Sequence, residues 1–157
     1  MGGDSSVSSI KPQVFDAAGG KVGGEFLVNT TTENQQNFPT ITGLSNGGFV
    51  VTWSDRSGLD GDANPRSIKA QVFDATGTKV GSEFLVNTTT AGSQDIPIIS
   101  ALSDGGFVIA WSDQSDNSDK AQVFDATGTK VGSEFPVTTT TVGGVPTAIA
   151  NRTGGAR

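Results

Sequence analysis

Asp60, Asp62 and Asn64 place three oxygen-bearing side chains on alternate residues of a loop that Gly58 and Gly61 can bend. Hard oxygen ligands on a bent loop suit calcium, so these three are candidate metal ligands and calcium is the candidate cofactor. The glycine and closing glutamate of a helix-flanked calcium loop are absent, and a solvated acidic turn is the competing reading. Trp53 and Trp111 each stand two residues before an aspartate, Asp55 or Asp113, in Thr-Trp-Ser-Asp and Ala-Trp-Ser-Asp. An indole face beside a carboxylate suits a pyranose, which makes Trp53, Asp55, Trp111 and Asp113 candidate ligand contacts, with packing between neighbouring repeats as the structural alternative. Asn29 and Asn87 each open an Asn-Thr-Thr-Thr segment, followed by Gln36 or Gln94. They are candidate polar ligand contacts, or else they satisfy backbone groups where the chain crosses from one sheet to the next.

Catalytic chemistry has little to work with. The chain has no cysteine, histidine or tyrosine, which removes the thiol nucleophile, the usual general base and the commonest transition-metal ligand. No pair of carboxylates stands out, so an enzyme is not expected. A formal charge of −6 without a Lys/Arg cluster argues against nucleic acid. No apolar run approaches a membrane span, so no membrane insertion is expected, and the N-terminus lacks a signal segment.

These residues sit in repeats. Gln-Val-Phe-Asp-Ala begins at Gln13, Gln71 and Gln122, inside the longer matches KPQVFDAAGGKVGGEFLVNTTT, KAQVFDATGTKVGSEFLVNTTT and KAQVFDATGTKVGSEFPVTTTT. A second block occurs as FPTITGLSNGGFVVTWSD from Phe38 and IPIISALSDGGFVIAWSD from Ile96, with a truncated start, VPTAIANRTGG, at Val145. Only 34% of residues are apolar and 22 are glycine, a mixture that suits short strands and tight turns.

Each unit reads as four strands: Pro39 to Leu44, Phe49 to Trp53, Ile68 to Phe73 and Lys79 to Asn87 in the first complete copy. Ser45-Asn46-Gly47-Gly48 is the first turn, its Asn and Gly expected to supply positive φ, and Asp74-Ala75-Thr76-Gly77 is the third. The expected fold class is all-β, a repeat of four-stranded antiparallel sheets of β-propeller blade type, with a β-sandwich as the alternative. Residues 1–157 form a single repeat domain: a half blade over 10–37, blades over 38–95 and 96–144, and the start of a further blade over 145–157. The complementary half blades suggest a head-to-tail homo-oligomer, with a dimer favoured.

The pattern GGFVVTW, then S-x-K-A-Q-V-F-D-A-x-G, then K-V-G-x-E-F-x-V-N-T-T-T resembles tandem repeats of large bacterial surface or secreted proteins of the hemolysin-type calcium-binding and adhesin-like kind. The glycine-aspartate nonapeptides of the β-roll relatives are absent, so their calcium role is not carried over. The resemblance implies an extracellular or cell-surface location. The expected function is a non-enzymatic, lectin-like binding or adhesion module for glycans, with a structural scaffold or calcium-stabilised spacer as the alternative.

Overall fold

The structure, a computed structural model, describes residues 9–59 and 66–137. Asp60, Asp62 and Asn64, and the further unit at 145–157, lie outside the described residues. Ten strands and no helix are present among those described: β1 (Val14–Phe15), β2 (Lys21–Val22), β3 (Gln36–Gly43), β4 (Phe49–Asp55), β5 (Ser67–Phe73), β6 (Lys79–Leu85), β7 (Gln94–Ala101), β8 (Phe107–Asp113), β9 (Ser118–Phe124) and β10 (Lys130–Pro136). They form a β1-β2 ribbon and two four-stranded antiparallel sheets, β3-β4-β5-β6 and β7-β8-β9-β10, each a simple meander in chain order.

Turn chemistry explains the meander. Gly47 takes a φ of +86°, and its N–H closes on the Leu44 carbonyl at 3.0 Å. Asn46 does not adopt positive φ; its side-chain oxygen instead accepts the Gly48 N–H at 2.9 Å, an Asx turn in place of a left-handed residue. At the β5-β6 turn the Asp74 carboxylate accepts the Thr76 and Thr78 N–H groups at 2.8 and 3.0 Å, and Asp125 does the same for Thr127 and Thr129. Hydrogen bonding to the charged form, the Thr76 and Thr127 hydroxyls foremost, holds both carboxyls below their ordinary range.

The repeated glutamine has a structural task. The β5-β6 ladder slips register between Ala70 and Val72, and Gly81 on the bulged strand sits at φ +68°. The Gln71 amide donates to the Val80 and Gly81 carbonyls at 3.4 and 3.1 Å, taking up acceptors that the bulge leaves free. Gln122 repeats this at Val131 and Gly132, and Gln13 at Val22 and Gly23.

Successive units stack face to face. Antiparallel pairing puts Phe49, Val51, Trp53, Lys69, Gln71 and Phe73 on one face of the first sheet, and Val50, Ile68, Ala70 and Val72 on the other. The first face packs on Ile10, Phe26 and Val28 of the N-terminal segment. The second, with Leu44 and Val86, receives Phe107, Ile109, Trp111 and Phe124 of the next sheet. In both interfaces a phenylalanine from the earlier unit enters beside a stacked pair: Phe26 lies 5.3 Å from Phe73, which stacks on Phe49 at 4.9 Å, and Phe84 lies 5.4 Å from Phe124, which stacks on Phe107 at 5.1 Å. Strand β7 lies against β3, β4 and β5. The architecture is therefore an all-β stack of antiparallel sheets, and the described residues do not close into a ring.

Gly48 and Gly106 leave no room for a side chain, because a Cβ on either would collide with the carbonyl oxygen of Phe73 or Phe124. Gly43, also without positive φ, has nothing near its missing Cβ. Gly48→Ala and Gly106→Ala are each expected to destabilise the fold by about 1–3 kcal/mol, and Gly43→Ala to be close to neutral, as measured by urea denaturation.

Candidate functional site

The site is assembled where the chain leaves one sheet and enters the next. Val28 and Val86, beyond the ends of β2 and β6, make backbone bonds to Ile10 and Ile68 at 2.9 and 2.7 Å. Asn29 and Asn87 then take the next backbone donor with their side chains, each side-chain oxygen accepting the N–H of Ile10 or Ile68, at 3.0 and 2.8 Å. The fourth strand stops at Leu85, short of the expected Asn87. Each asparagine amide donates to the carbonyl two residues on, Thr31 or Thr89, and to Gln36 or Gln94. The two glutamines extend the first strand of the unit to Gln36 and Gln94, ahead of the expected Pro39 and Pro97. Their amides reach Asp55 at 3.2 Å and Asp113 at 3.4 Å.

Asp55 meets Lys69 at 3.5 Å, with both side chains fully buried. Lys69 in turn meets Glu83 at 3.3 Å. Glu83 reaches across to the preceding unit, where it accepts the Thr30 N–H at 2.6 Å, the Thr31 N–H and the Thr31 hydroxyl. The same chain of contacts recurs in the next unit. Lys120 lies 2.7 Å from Asp113 and 4.0 Å from Glu134, and Glu134 accepts from Thr88, Thr89 and the Thr89 hydroxyl. The structure thus gathers Asn29 with Asp55, and Asn87 with Asp113, into two copies of one buried polar network spanning the repeat boundary.

Trp53 and Trp111 are fully buried, in the apolar layers between their own sheets and the preceding unit, so neither presents a face to a sugar. Sequence reasoning passed over Lys69, Lys120, Glu83 and Glu134, the residues that complete the network. A signal existed: Lys, Gln and Phe recur on alternate residues of KAQVF in both units, with Ala and Val between them, marking a polar seam inside an interface.

Burial pushes the Glu83 carboxyl up, but the Thr31 hydroxyl, the Thr30 N–H, the Lys69 charge and the Thr31 N–H together bring it below its ordinary 4.5. Asp113 is likewise held low, burial being outweighed by Lys120 and Ser115. Lys120 is raised, its burial outweighed by Asp113, Asp116 and Glu134.

The chain matches no family model, no curated protein and no solved structure.

Outside the network, Gln71 forms part of a polar cleft of about 370 Å³ with Thr30, Thr31, Lys79, Gly81, Ser82 and Glu83. Gln71 is fully buried and its side-chain oxygen has no hydrogen-bond partner in the protein, and the same holds for Gln122. Lys79 bridges the cleft to the Thr30 hydroxyl at 2.9 Å, as Lys130 does to Thr88 at 3.0 Å. Among the described residues no three acidic or other ligating side chains converge on a metal position.

Lys69→Met leaves Asp55 and Glu83 without their cation and is expected to destabilise the protein by about 3–5 kcal/mol, read from chemical denaturation. Because the folded pKa of Glu83 is depressed, its stabilisation is fully present above 4.5 and is lost as pH falls through the lower folded value. Glu83→Gln should lower the melting temperature at neutral pH and flatten the acid limb of a melting-temperature profile.

Proposed function

We propose that this chain is a non-enzymatic extracellular binding module of the propeller-blade type that recognises carbohydrate in the clefts between successive units. The blade reading is supported by the geometry of stacking. Each complete unit is a four-stranded meander, each lays the same face on the unit before it, and the first strand of one complete unit lies against that of the next.

The observation that carries the binding reading is a cleft rimmed by hydroxyl, ammonium and carboxylate groups, with buried Gln71, its side-chain oxygen unpartnered, in the wall. Buried polar groups are ordinarily satisfied, so the unpartnered Gln71 oxygen marks a wall of the cleft whose hydrogen bonding the protein does not itself complete, while the groups on the rim are placed to meet ligand hydroxyls. The repeat supplies a second set in Gln122, Lys130, Ser133 and Glu134, with Thr88 and Thr89 opposite. Two weak sites on one rigid body gain affinity for a polyvalent glycan through avidity.

A structural spacer is the second reading, favoured by the burial of Trp53, Trp111, Asn29, Asn87, Asp55 and Asp113 in contacts within units and at their boundaries. A glycan array separates the two. Ser82 is exposed at the cleft, and Ser133 is exposed at the matching position. Ser82→Arg combined with Ser133→Arg should abolish a glycan signal without changing the melting temperature. An array on which the unsubstituted chain gives no sugar-dependent signal overturns the binding reading in favour of the spacer.

A further inference from the structure

Among the described residues, the face that a complete unit offers to its successor is covered in full once. On the first sheet, Leu44, Val50, Ile68, Ala70, Val72 and Val86 lie beneath the aromatic face of the next sheet, with Val80 and Phe84 packed against them. The second sheet carries the same face. Val131 pairs with Val123, Phe135 pairs with Ala121, and the Val137 N–H donates to the Asp119 carbonyl as the Val86 N–H donates to Ile68. Here the face is open along its outer strand: Val131, Phe135 and Val137 are 54%, 42% and 44% exposed, while Ala121 and Asp119 beside them are buried.

The opposite end of the stack shows the complementary surface. Phe15 occupies the position of Phe73 and Phe124, each 1% exposed, yet Phe15 is 56% exposed. Lys11 and Glu25 stand where Lys69 with Glu83, and Lys120 with Glu134, bind the adjoining unit, and both are exposed. The β1-β2 ribbon is nonetheless already arranged for the contact. Gln13 makes the same bonds to the Val22 and Gly23 carbonyls that Gln71 and Gln122 make at their bulges.

We propose that a second copy of this chain seats its N-terminal ribbon, through Phe15, Lys11 and Glu25, on the open face of the β7-β10 sheet at Val123, Val131, Phe135 and Val137. The contact continues the interface that joins units inside one chain, so it is heterologous, head of one copy to tail of the other. It deepens the expected self-association and rests on the stacking of units, without depending on the glycan reading. One residue of the open face departs from the pattern. Asp119 stands where the other units have Ile10 and Ile68, and it is buried with one carboxylate oxygen unpartnered. Burial holds its carboxyl above the ordinary range. Docking removes the remaining solvent from this carboxyl, and an isoleucine in its place restores the apolar surface of the other units.

The test is sedimentation velocity on the full chain over a wide concentration range. Reversible association is expected, tightened about tenfold or more in Asp119→Ile. Phe15→Lys and Phe135→Lys, both at exposed positions, should each be monomeric with unchanged melting temperatures. An equimolar mixture of the two retains one good head and one good tail and should form heterodimers that go no further. A concentration-independent monomer for both the unsubstituted chain and Asp119→Ile overturns the proposal, as does association that persists in both lysine variants. Glycan-array binding is read on the monomeric variants, so loss of association and loss of sugar binding remain separate results.

Discussion

The backbone N–H groups of Thr30, Thr31, Thr88 and Thr89 belong to crossing segments that no strand ladder can satisfy, and a carboxylate from the following unit seals them. That arrangement constrains everything around it. A carboxylate placed in an interface needs a cation, and Lys69 and Lys120 supply it; each lysine lies between that glutamate and Asp55 or Asp113. The aspartates are held by Gln36 and Gln94, and the glutamines by Asn29 and Asn87, which return to the backbone of the same crossing. The network closes on itself across the boundary between units. With the offset of one sheet on the next set in this way, the phenylalanine and tryptophan layers have one register in which to interdigitate.

How far this was legible in the chain depends on the range of each interaction. The duplication, the four strands per unit and the turn positions are local, and they follow from identical words and from glycine and aspartate chemistry. Asn46 shows the margin of error even there: the turn was placed correctly, but by a side-chain acceptor where positive φ was expected. Face assignment is different. Trp53 could be placed on a strand by pattern, yet whether its indole meets a sugar or another sheet depends on what covers that face, and the cover comes from residues 10–28. The Glu83 contact with Thr30 joins residues 53 apart through a bulge that shifts the register of β6, and no period in the sequence announces such a shift.

Strain at the start of each unit makes the same point. Phe38 and Ile96 precede prolines and adopt φ of 52° and 53°, conformations that bulky and β-branched residues rarely tolerate. Both lie at bulges where the first strand slips against the second, between Asn37 and Thr40 or Asp95 and Ile98. At Ile96 the surroundings hold the conformation. The Ser54 hydroxyl, from the preceding sheet, donates to Asp95 at 2.6 Å and accepts the Ile96 N–H at 3.2 Å, and Arg66 pairs with Asp95. The sheets are therefore fastened at the entry to β7 as well as at the outer strands, and the bulge persists because two units over-determine it.

The acidic loop between the second and third strands is where the two units differ most. Its base is alike in both units: Asp55 accepts the Ser57 N–H, and Asp113 accepts the Ser115 N–H. Beyond that base the units diverge, since the stretch from Asp113 to Ser118 is seven residues shorter than that from Asp55 to Ser67. The shortening brings Asp116 within 3.5 Å of Lys120, a third carboxylate for a lysine that is less completely buried than Lys69. A network that keeps its members while the adjoining loop changes length and charge does not need one particular loop in order to form, even though the loop ends add contacts of their own, Asp116 to Lys120 and Arg66 to Asp95.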